Sequence, residues 1–245
     1  MTLWVILISF IVILSTGASI GVGLGLSSAI VLYCVLDMPL VVVVQRMFTS
    51  VDSFSFMAVP FFMLAGAFMS EGGVTKRIVD FSMAMVGALA GGLALVVAVA
   101  GMFFAALSGS SAATTAAIGS SMIDEMERRG YPRSFAAAVV ASGGTVGIVI
   151  PPSITMVVYG SIANTSIADL FMAGFVPGIL MGVTMCVVSW VISKKNGYQG
   201  EGKFSLGRLL RSVRECFWAL MMPVIILGGI YSGIFTPTEA AAVAA

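Results

Sequence analysis

The sequence predicts an all-α polytopic membrane protein, and three observations lead to that fold class. Of its 245 residues, 59% are hydrophobic and only 9% are charged, whereas soluble domains carry about 25% charged residues. The apolar residues come in runs that reach roughly 20 residues, the length an α-helix needs to cross a bilayer. Short breaks rich in glycine, serine and proline interrupt these runs. Such backbone is tolerated at membrane depth only where protein buries it or where it lines a cavity.

Composition also excludes several classes of function. Histidine is absent, which removes most zinc sites and histidine-based acid–base catalysis. The three cysteines show no ligand-like spacing, and no basic patch with interleaved aromatic residues accompanies the net charge of +1. We therefore expect neither an enzyme nor a protein that binds nucleic acid.

Residues 1–80 are predicted to form scaffold-type spans and one interfacial segment. The apolar run over residues 3–36 is too long for one ordinary helix, so we favour two short spans with a tight turn near Gly17. Residues 40–53 carry one arginine and one aspartate and are typical of an interfacial segment. Residues 54–70 are predicted to form the next span, which ends at a pair of glycines.

Residues 81–168 are predicted to form a transport-type region. A charged loop over residues 71–80 leads into it, and residues 81–123 then contain no charge. That length allows two full spans, but no polar connector is long enough to leave the membrane. We favour a re-entrant hairpin, whose two ends return to the same side, because basic residues flank it at 71–80 and again at 124–133.

Two breaks in this region are candidates for an ion site. The hairpin tip is predicted at Ser108-Gly109-Ser110-Ser111, and residues 134–168 are predicted to form one discontinuous span. This span loosens at Gly143-Gly144 and breaks at Pro151-Pro152. Unwound carbonyls of broken helices hold coupling ions in many secondary transporters, and hydroxyl and carbonyl oxygens suit a hard cation. Close helix packing by small residues and a structural proline kink are the alternative explanations.

Residues 169–235 are predicted to form further spans with a basic cytoplasmic loop over residues 194–215. Leucines among the basic residues of that loop also fit an interfacial amphipathic helix. A helix starts within residues 236–245, where Thr236 can cap it, a proline follows, and Glu239 can complete a capping box. Because that helix is too short to span a membrane, we expect it to continue in a longer protein.

Four stretches resemble the large membrane subunit of tripartite ATP-independent periplasmic (TRAP) transporters. Together they extend over most of the chain, and their combination is specific to that family. The stretches are AVPFFMLAG at residues 58–66, FFAALSGSSAATTAAIG at 103–119, GIVIPPS at 147–153 and GIFTPTEAAA at 233–242.

The resemblance implies an elevator-type transporter with two inverted repeats, of which this chain carries the first. It also implies a sodium gradient as the energy source, with Na⁺ as the only cofactor, and a sodium site between the first hairpin tip and the first broken helix. Carried over by position, the implied sodium ligands, partly through backbone carbonyls, are Ser108, Ser110, Ser111, Gly144, Thr145, Gly147, Ile150 and Pro152.

The partners implied by the resemblance are a small four-helix membrane subunit and a periplasmic substrate-binding protein, with the chain in the bacterial inner membrane as a multi-pass protein. The leading hypothesis is sodium-coupled uptake (symport) of small organic acids of the dicarboxylate, keto acid or sialic acid type. The alternative is an elevator-type sodium/carboxylate symporter that works without a binding protein.

Overall fold

The computed structural model describes residues 2–200, 202 and 204–245, which form helices and turns with no β-strand among them. The all-helical class is therefore confirmed. The chain divides into two compact units, Met1–Ser53 and Phe54–Ala245. Three helices within the described residues are long and apolar enough to cross a membrane: Phe54–Glu71, Ile167–Lys195 and Leu206–Tyr231.

The first unit contains helices α1 (Thr2–Ser15), α2 (Ile20–Cys34) and α3 (Val41–Val51). The turn between α1 and α2 includes Gly17 with φ of 82°, a left-handed conformation that glycine adopts without steric cost. Helices α1 and α2 pack closely at Gly23, which lies against a phenylalanine and a leucine of α1. The two short helices expected on either side of this turn are thus confirmed.

The second unit is built around one helix that is buried along most of its length, α6. Because α6 contacts α4, α5, α7, α8, α10 and α11, it serves as the internal support for the region that follows it. The helices of this unit are α4 (Ala58–Glu71), α5 (Val74–Val86), α6 (Gly92–Ser108), α7 (Ser111–Arg128), α8 (Arg133–Thr145), α9 (Ile154–Ala163), α10 (Ile167–Lys195), α11 (Leu206–Tyr231) and α12 (Pro237–Ala244).

The loop predicted over residues 71–80 is wrong, because most of it belongs to α5. Ile78 and Phe81 are buried, whereas Lys76 is exposed. An amphipathic helix accommodates charges on the face that it does not bury, so the charged residues here mark a helix surface and not a loop. The first arm of the hairpin accordingly begins at Gly92, well after residue 81.

The charged loop predicted over residues 124–133 is much shorter than expected, because α7 extends into it. Arg129 Nε lies 3.0 Å from Glu125 Oε1, and pairs at this spacing stabilise a helix. Arg133 opens α8 and donates to Glu127 at 2.6 Å. The hydrogen bond and charge of Glu127 raise the pKa of the Arg133 guanidinium above its ordinary value.

The basic loop predicted over residues 194–215 is also shorter, because α11 already begins at Leu206. Leu209 packs against the core while the arginines around it are exposed. The amphipathic helix considered from the leucine pattern therefore describes these residues better than a loop does. Glu201 and Lys203, which belong to the predicted loop, lie outside the described residues.

The predicted start of α12 is confirmed in detail. The Thr236 hydroxyl accepts from the Glu239 N–H at 3.3 Å, and the Glu239 carboxylate accepts from the Thr236 N–H at 2.8 Å. The hydrogen bonds that the Glu239 carboxylate accepts from the Thr236 N–H and from the Thr236 hydroxyl, each at 2.8 Å, lower the pKa of Glu239. The Thr238 hydroxyl also donates to the Phe54 carbonyl at 2.9 Å, which ties the start of α12 to the turn before α4.

Replacing Thr236 with alanine is expected to destabilise the protein by about 1 kcal/mol, the usual cost of losing an N-cap side chain. Thermal unfolding of the purified protein measures this loss. Because the pKa of Glu239 is lower in the folded state, its contribution to the free energy of unfolding is present above the unfolded-state pKa. That contribution disappears as the pH falls through the folded-state pKa. The difference from wild type should therefore shrink in acid. Thr184→Ala, which removes an exposed hydroxyl inside α10, is the control, and an equal loss in both variants would contradict the capping role.

Candidate functional site

The hairpin tip is a two-residue turn, Gly109 and Ser110, between α6 and α7. Helix α6 ends at Ser108, and Gly109 takes a left-handed conformation with φ of 58°. Ser110 is extended, and its hydroxyl caps α7 by accepting from the Ala113 N–H at 3.4 Å. The sequence Ser-Gly-Ser turns the chain here because glycine tolerates the left-handed region and serine is a favoured N-cap.

The hydroxyl groups at the tip differ in the hydrogen bonds that they form. Ser108 is buried, and its Oγ lies 3.0 Å from Thr114 Oγ1. Thr114 in turn donates to the Ser110 carbonyl at 2.8 Å. The Ser111 hydroxyl forms no hydrogen bond with any residue that the structure describes. Ser111 therefore keeps its full capacity to bind a ligand, whereas Ser108 already belongs to a network.

The second break begins later than predicted. Helix α8 continues through Gly143 and Gly144 and is followed by a 3₁₀ turn, Val146–Ile148. The glycines serve close packing instead of unwinding: a Cβ on Gly101 of α6 would lie 3.3 Å from the Gly143 carbonyl oxygen. The expected loosening at Gly143-Gly144 is thus wrong, and the interruption occupies the residues between Thr145 and Ile154.

The two prolines explain why the helix breaks where it does. Pro151 and Pro152 carry no N–H and cannot donate to the carbonyls of Gly147 and Ile148, four residues earlier. The Ile148 carbonyl instead accepts from the Ser153 hydroxyl at 2.9 Å. The break therefore presents main-chain oxygens that no helical hydrogen bond satisfies.

The hairpin tip and the broken helix meet through their main chains. The Ile154 N–H donates to the Gly109 carbonyl at 3.1 Å. A Cβ on Gly109 would lie 2.8 Å from the Pro152 carbonyl oxygen, and a Cβ on Gly147 would lie 3.0 Å from the Ser110 carbonyl oxygen. The two interruptions, 40 residues apart in the chain, thus form one continuous patch of backbone.

The predicted ligands divide between two sides of this patch. Six of them lie where the tip and the broken helix meet: Ser108, Ser110, Ser111, Gly144, Gly147 and Pro152. Gly144 belongs to this group because it packs against Thr115 and the Ser111 carbonyl.

Thr145 and Ile150 direct their side chains the other way. The Thr145 hydroxyl donates to the Ser142 carbonyl at 2.7 Å and lines a groove between α8 and α10. The Ile150 side chain packs on Gly178 of α10. These two residues can reach the patch only through backbone atoms.

Helix α10 supports the broken helix through glycines spaced four residues apart. A Cβ on Gly174 would lie 2.7 Å from the Val149 carbonyl oxygen, and a Cβ on Gly178 would lie 3.2 Å from the Ile150 nitrogen. Gly182 receives the Met102 side chain of α6 in the same way. This spacing places all three glycines on one helix face and lets backbone approach backbone.

A cavity of about 640 Å³ lies beside the hairpin tip, between α4 and α7. Sequence reasoning did not assign α4 to the site, because its residues 58–66 contain no polar side chain. Gly66 was nevertheless a sequence feature that could have indicated a close approach to α4. In the structure, a Cβ at Gly66 would lie 3.6 Å from Ser108 Cα. The residues lining the cavity include Phe62, Gly66, Ser70, Ser108, Ser110 and Ser120.

The site is electrically neutral. Among the residues that the structure describes, no charged side chain lines the cavity beside the tip. Within the described part of the chain, no group of three or more Cys, Asp and Glu residues gathers as a metal centre. The oxygens available at the patch are hydroxyl and carbonyl groups, which suit a hard cation of low charge or a hydrogen-bonded organic ligand.

Comparison with known families decides what this arrangement belongs to. The family model for the DctM component of the tripartite ATP-independent periplasmic transporter matches residues 7–245, nearly the whole chain. The chain belongs to this family. The resemblance drawn from four short stretches is therefore confirmed over the full length of the match, and the chain is a membrane protein of the TRAP large permease type.

The curated relatives carry different named substrates. The chain is 49% identical over 237 residues, 96% of its length, to the isethionate TRAP transporter permease protein DctMQ of Oleidesulfovibrio alaskensis. It is 51% identical over 200 residues, 82% of its length, to the C4-dicarboxylate TRAP transporter large permease protein DctM of Pseudomonas aeruginosa. It is 40% identical over 201 residues, 82% of its length, to the sialic acid TRAP transporter permease protein SiaT of Haemophilus influenzae.

The chain spans about half or less of these relatives: 37% of the isethionate permease, 47% of the dicarboxylate permease and 33% of the sialic acid permease. All three are named as transporter permeases and none as an enzyme, which confirms that this chain belongs to a transport family.

Proposed function

We propose that this chain forms the first repeat of a sodium-coupled permease that imports small organic acids by an elevator mechanism. The observation that carries the proposal is the contact between the hairpin tip and the broken helix, where the Ile154 N–H donates to the Gly109 carbonyl at 3.1 Å. Two interrupted helices that meet in a membrane protein bring together main-chain oxygens that helical hydrogen bonds do not satisfy, and a cation is a natural partner for such oxygens.

Sodium fits the oxygens that these elements supply. The Ser111 hydroxyl is without a hydrogen bond among the described residues, the Pro152 carbonyl lies against Gly109 of the hairpin tip, and Gly147 lies against the Ser110 carbonyl. A divalent cation usually requires carboxylate ligands, and no carboxylate of the described residues lines the cavity at the tip. Neutral oxygen ligands therefore favour a monovalent ion. In this proposal Ser108, Ser110, Gly144, Thr145 and Ile150 complete the site, the last two through their carbonyls.

The organic acid is proposed to bind in the cavity between α4 and the tip. The serine hydroxyl groups that line this cavity can donate to a carboxylate, and the start of α7 borders the cavity. Helix N-termini attract anions because their first N–H groups are unpaired and the helix dipole is positive there. The named substrates of the relatives, a C4-dicarboxylate, a sialic acid and isethionate, are all small organic anions.

The proposal includes two partners and a place. A small four-helix membrane subunit would hold the permease in the bacterial inner membrane, and a periplasmic substrate-binding protein would deliver the organic acid. The name DctMQ of one relative is consistent with a permease joined to its small subunit.

The competing proposal is a carboxylate symporter that takes substrate directly. Uptake by proteoliposomes with and without the binding protein separates them, because the competing mechanism predicts transport without it.

Replacing Ser108 and Ser111 together with alanine tests the ion site. We expect the sodium concentration for half-maximal uptake to rise roughly 10- to 30-fold, since each lost oxygen contact is worth about 1 kcal/mol. Ser82→Ala combined with Ser121→Ala removes one buried and one exposed hydroxyl elsewhere in the same unit and serves as the control. Unchanged sodium dependence in the first variant, with normal membrane insertion, would refute the assignment of these hydroxyls.

A further inference from the structure

A second cavity, of about 310 Å³, lies between α5, α11 and the end of α12, with Met69 of α4 also in its lining, and no residue of the hairpin tip lines it. Its walls are mostly apolar, with Val74, Met222 and Ile226 among them. Two charged side chains, Arg77 of α5 and Glu215 of α11, also line it. An apolar cavity with charged groups at one end is suited to a ligand that has an apolar tail and a polar head.

Among the described residues, one positive and one negative side chain line this cavity, Arg77 and Glu215, and further arginines of α11 lie close to Glu215 in the helix. Arg208 and Arg211 precede Glu215 by seven and four residues, so all three lie on the same side of α11. Arg77, Arg208 and Arg211 are exposed, and in the described part of the chain none of them forms an ion pair. Glu215 is the one carboxylate among the residues that line the cavity. An anionic group can therefore neutralise guanidinium charge here that the described protein leaves unpaired.

The position along α11 matches the membrane surface. The Trp218 side chain lines the cavity and is 79% exposed, and tryptophan is enriched at membrane–water interfaces. Helix α11 has 26 residues, more than the roughly 20 needed to cross the hydrocarbon core. Its arginines lie in the first turns, before the apolar part begins, at the level where lipid headgroups are found.

We propose that this cavity binds one anionic phospholipid, with an acyl chain between α5 and α11 and the headgroup phosphate on Arg77 and Arg211. Basic pockets between transmembrane helices on the cytoplasmic side are known to select anionic lipid headgroups. The lipid fills the cavity and links α5 to α11. This proposal does not depend on the sodium site, because the two sites share no residue.

Native mass spectrometry of the purified protein tests the proposal, with phosphatidylglycerol and phosphatidylcholine of the same acyl chains as probes. We expect the wild type to retain one phosphatidylglycerol in preference to phosphatidylcholine. Arg77→Gln with Arg211→Gln should weaken phosphatidylglycerol binding about 25-fold, or about five-fold for each arginine. The control, Arg128→Gln with Arg133→Gln, removes the same charge from residues that pair with carboxylates between α7 and α8 and should stay within about two-fold of wild type.

A second variant tests the cavity itself. Ala219→Phe fills the space that Ala219 borders and leaves every charge in place, so it should abolish retention of the lipid and keep the protein folded. Equal retention of the two lipids by the wild type, or full retention by Ala219→Phe, overturns the proposal. Loss of bound lipid on adding millimolar inorganic phosphate would also overturn it, since the site would then be a simple anion site. The absence of any retained lipid in the wild type would overturn it as well.

Discussion

Gly109→Ala is expected to abolish sodium-dependent uptake while the protein still inserts into the membrane. Gly109 has φ of 58°, and alanine in this region costs roughly 1–2 kcal/mol. The added Cβ would also lie 2.8 Å from the Pro152 carbonyl oxygen and 3.0 Å from the Ile154 nitrogen. Because both atoms belong to the main chain, neither can rotate away, and the hairpin tip must separate from the broken helix. Uptake by proteoliposomes along an imposed sodium gradient measures the loss.

Gly130→Ala is the matched control for that experiment. Gly130 has φ of 85°, and a Cβ there would meet no atom within 4 Å. It carries the same conformational cost without the contact, so it should lower thermal stability and leave uptake close to wild type. Loss of uptake in both variants would attribute the effect to instability and not to the contact. Full activity of Gly109→Ala would show that transport does not need the tip and the broken helix to touch.

Gly147→Ala is expected to have a comparable effect from the opposite side of the contact. Its Cβ would lie 3.0 Å from the Ser110 carbonyl oxygen and 3.1 Å from the Ser111 nitrogen. These positions are tighter than ordinary van der Waals contacts, so alanine should push the start of α7 away from the break. We expect uptake to fall at least ten-fold and sodium to lose its stabilising effect on thermal unfolding, because an ion that binds only the folded state stabilises it by mass action.

Gly228→Ala provides the control for that measurement. Gly228 lies inside α11, and a Cβ there would meet no atom within 4 Å. Alanine has a higher helix propensity than glycine, so this variant should be as stable as wild type or slightly more stable. If sodium and potassium shift the melting temperature of wild type equally, the ion site itself is wrong, whatever Gly147→Ala does.

The sequence predicts local features of this fold well. The turn at Gly17, the helix end at residues 72–73 and the capping box of α12 each depend on a few neighbouring residues with strong conformational preferences. Charged stretches are predicted less well. Lys76 and Arg128 were placed in loops but belong to α5 and α7, because charge marks exposure to solvent and an exposed helix face satisfies that as well as a loop does.

The candidate site shows a similar division. The position of the turn between α6 and α7 was predicted correctly because Ser-Gly-Ser is a distinctive turn signal inside an apolar run. Gly143 and Gly144 were assigned to unwound backbone, although they allow α8 to pack closely on α6 and α7. Glycine serves both purposes, and only the neighbouring elements determine which applies. The part played by α4 is hidden for a similar reason, because its Gly66 contributes no functional group and only lies in contact with Ser108.

The glycines of α10 restrict how this region can move. Gly174 and Gly178 accept the broken segment directly against the main chain of α10, so a slide of one residue would bring side chains onto these contacts and force the elements apart. These close main-chain contacts therefore do not allow the broken helix to slide along α10. In the proposed elevator mechanism, α10 would move together with the broken helix, and the sliding interface would lie on another side of these two elements.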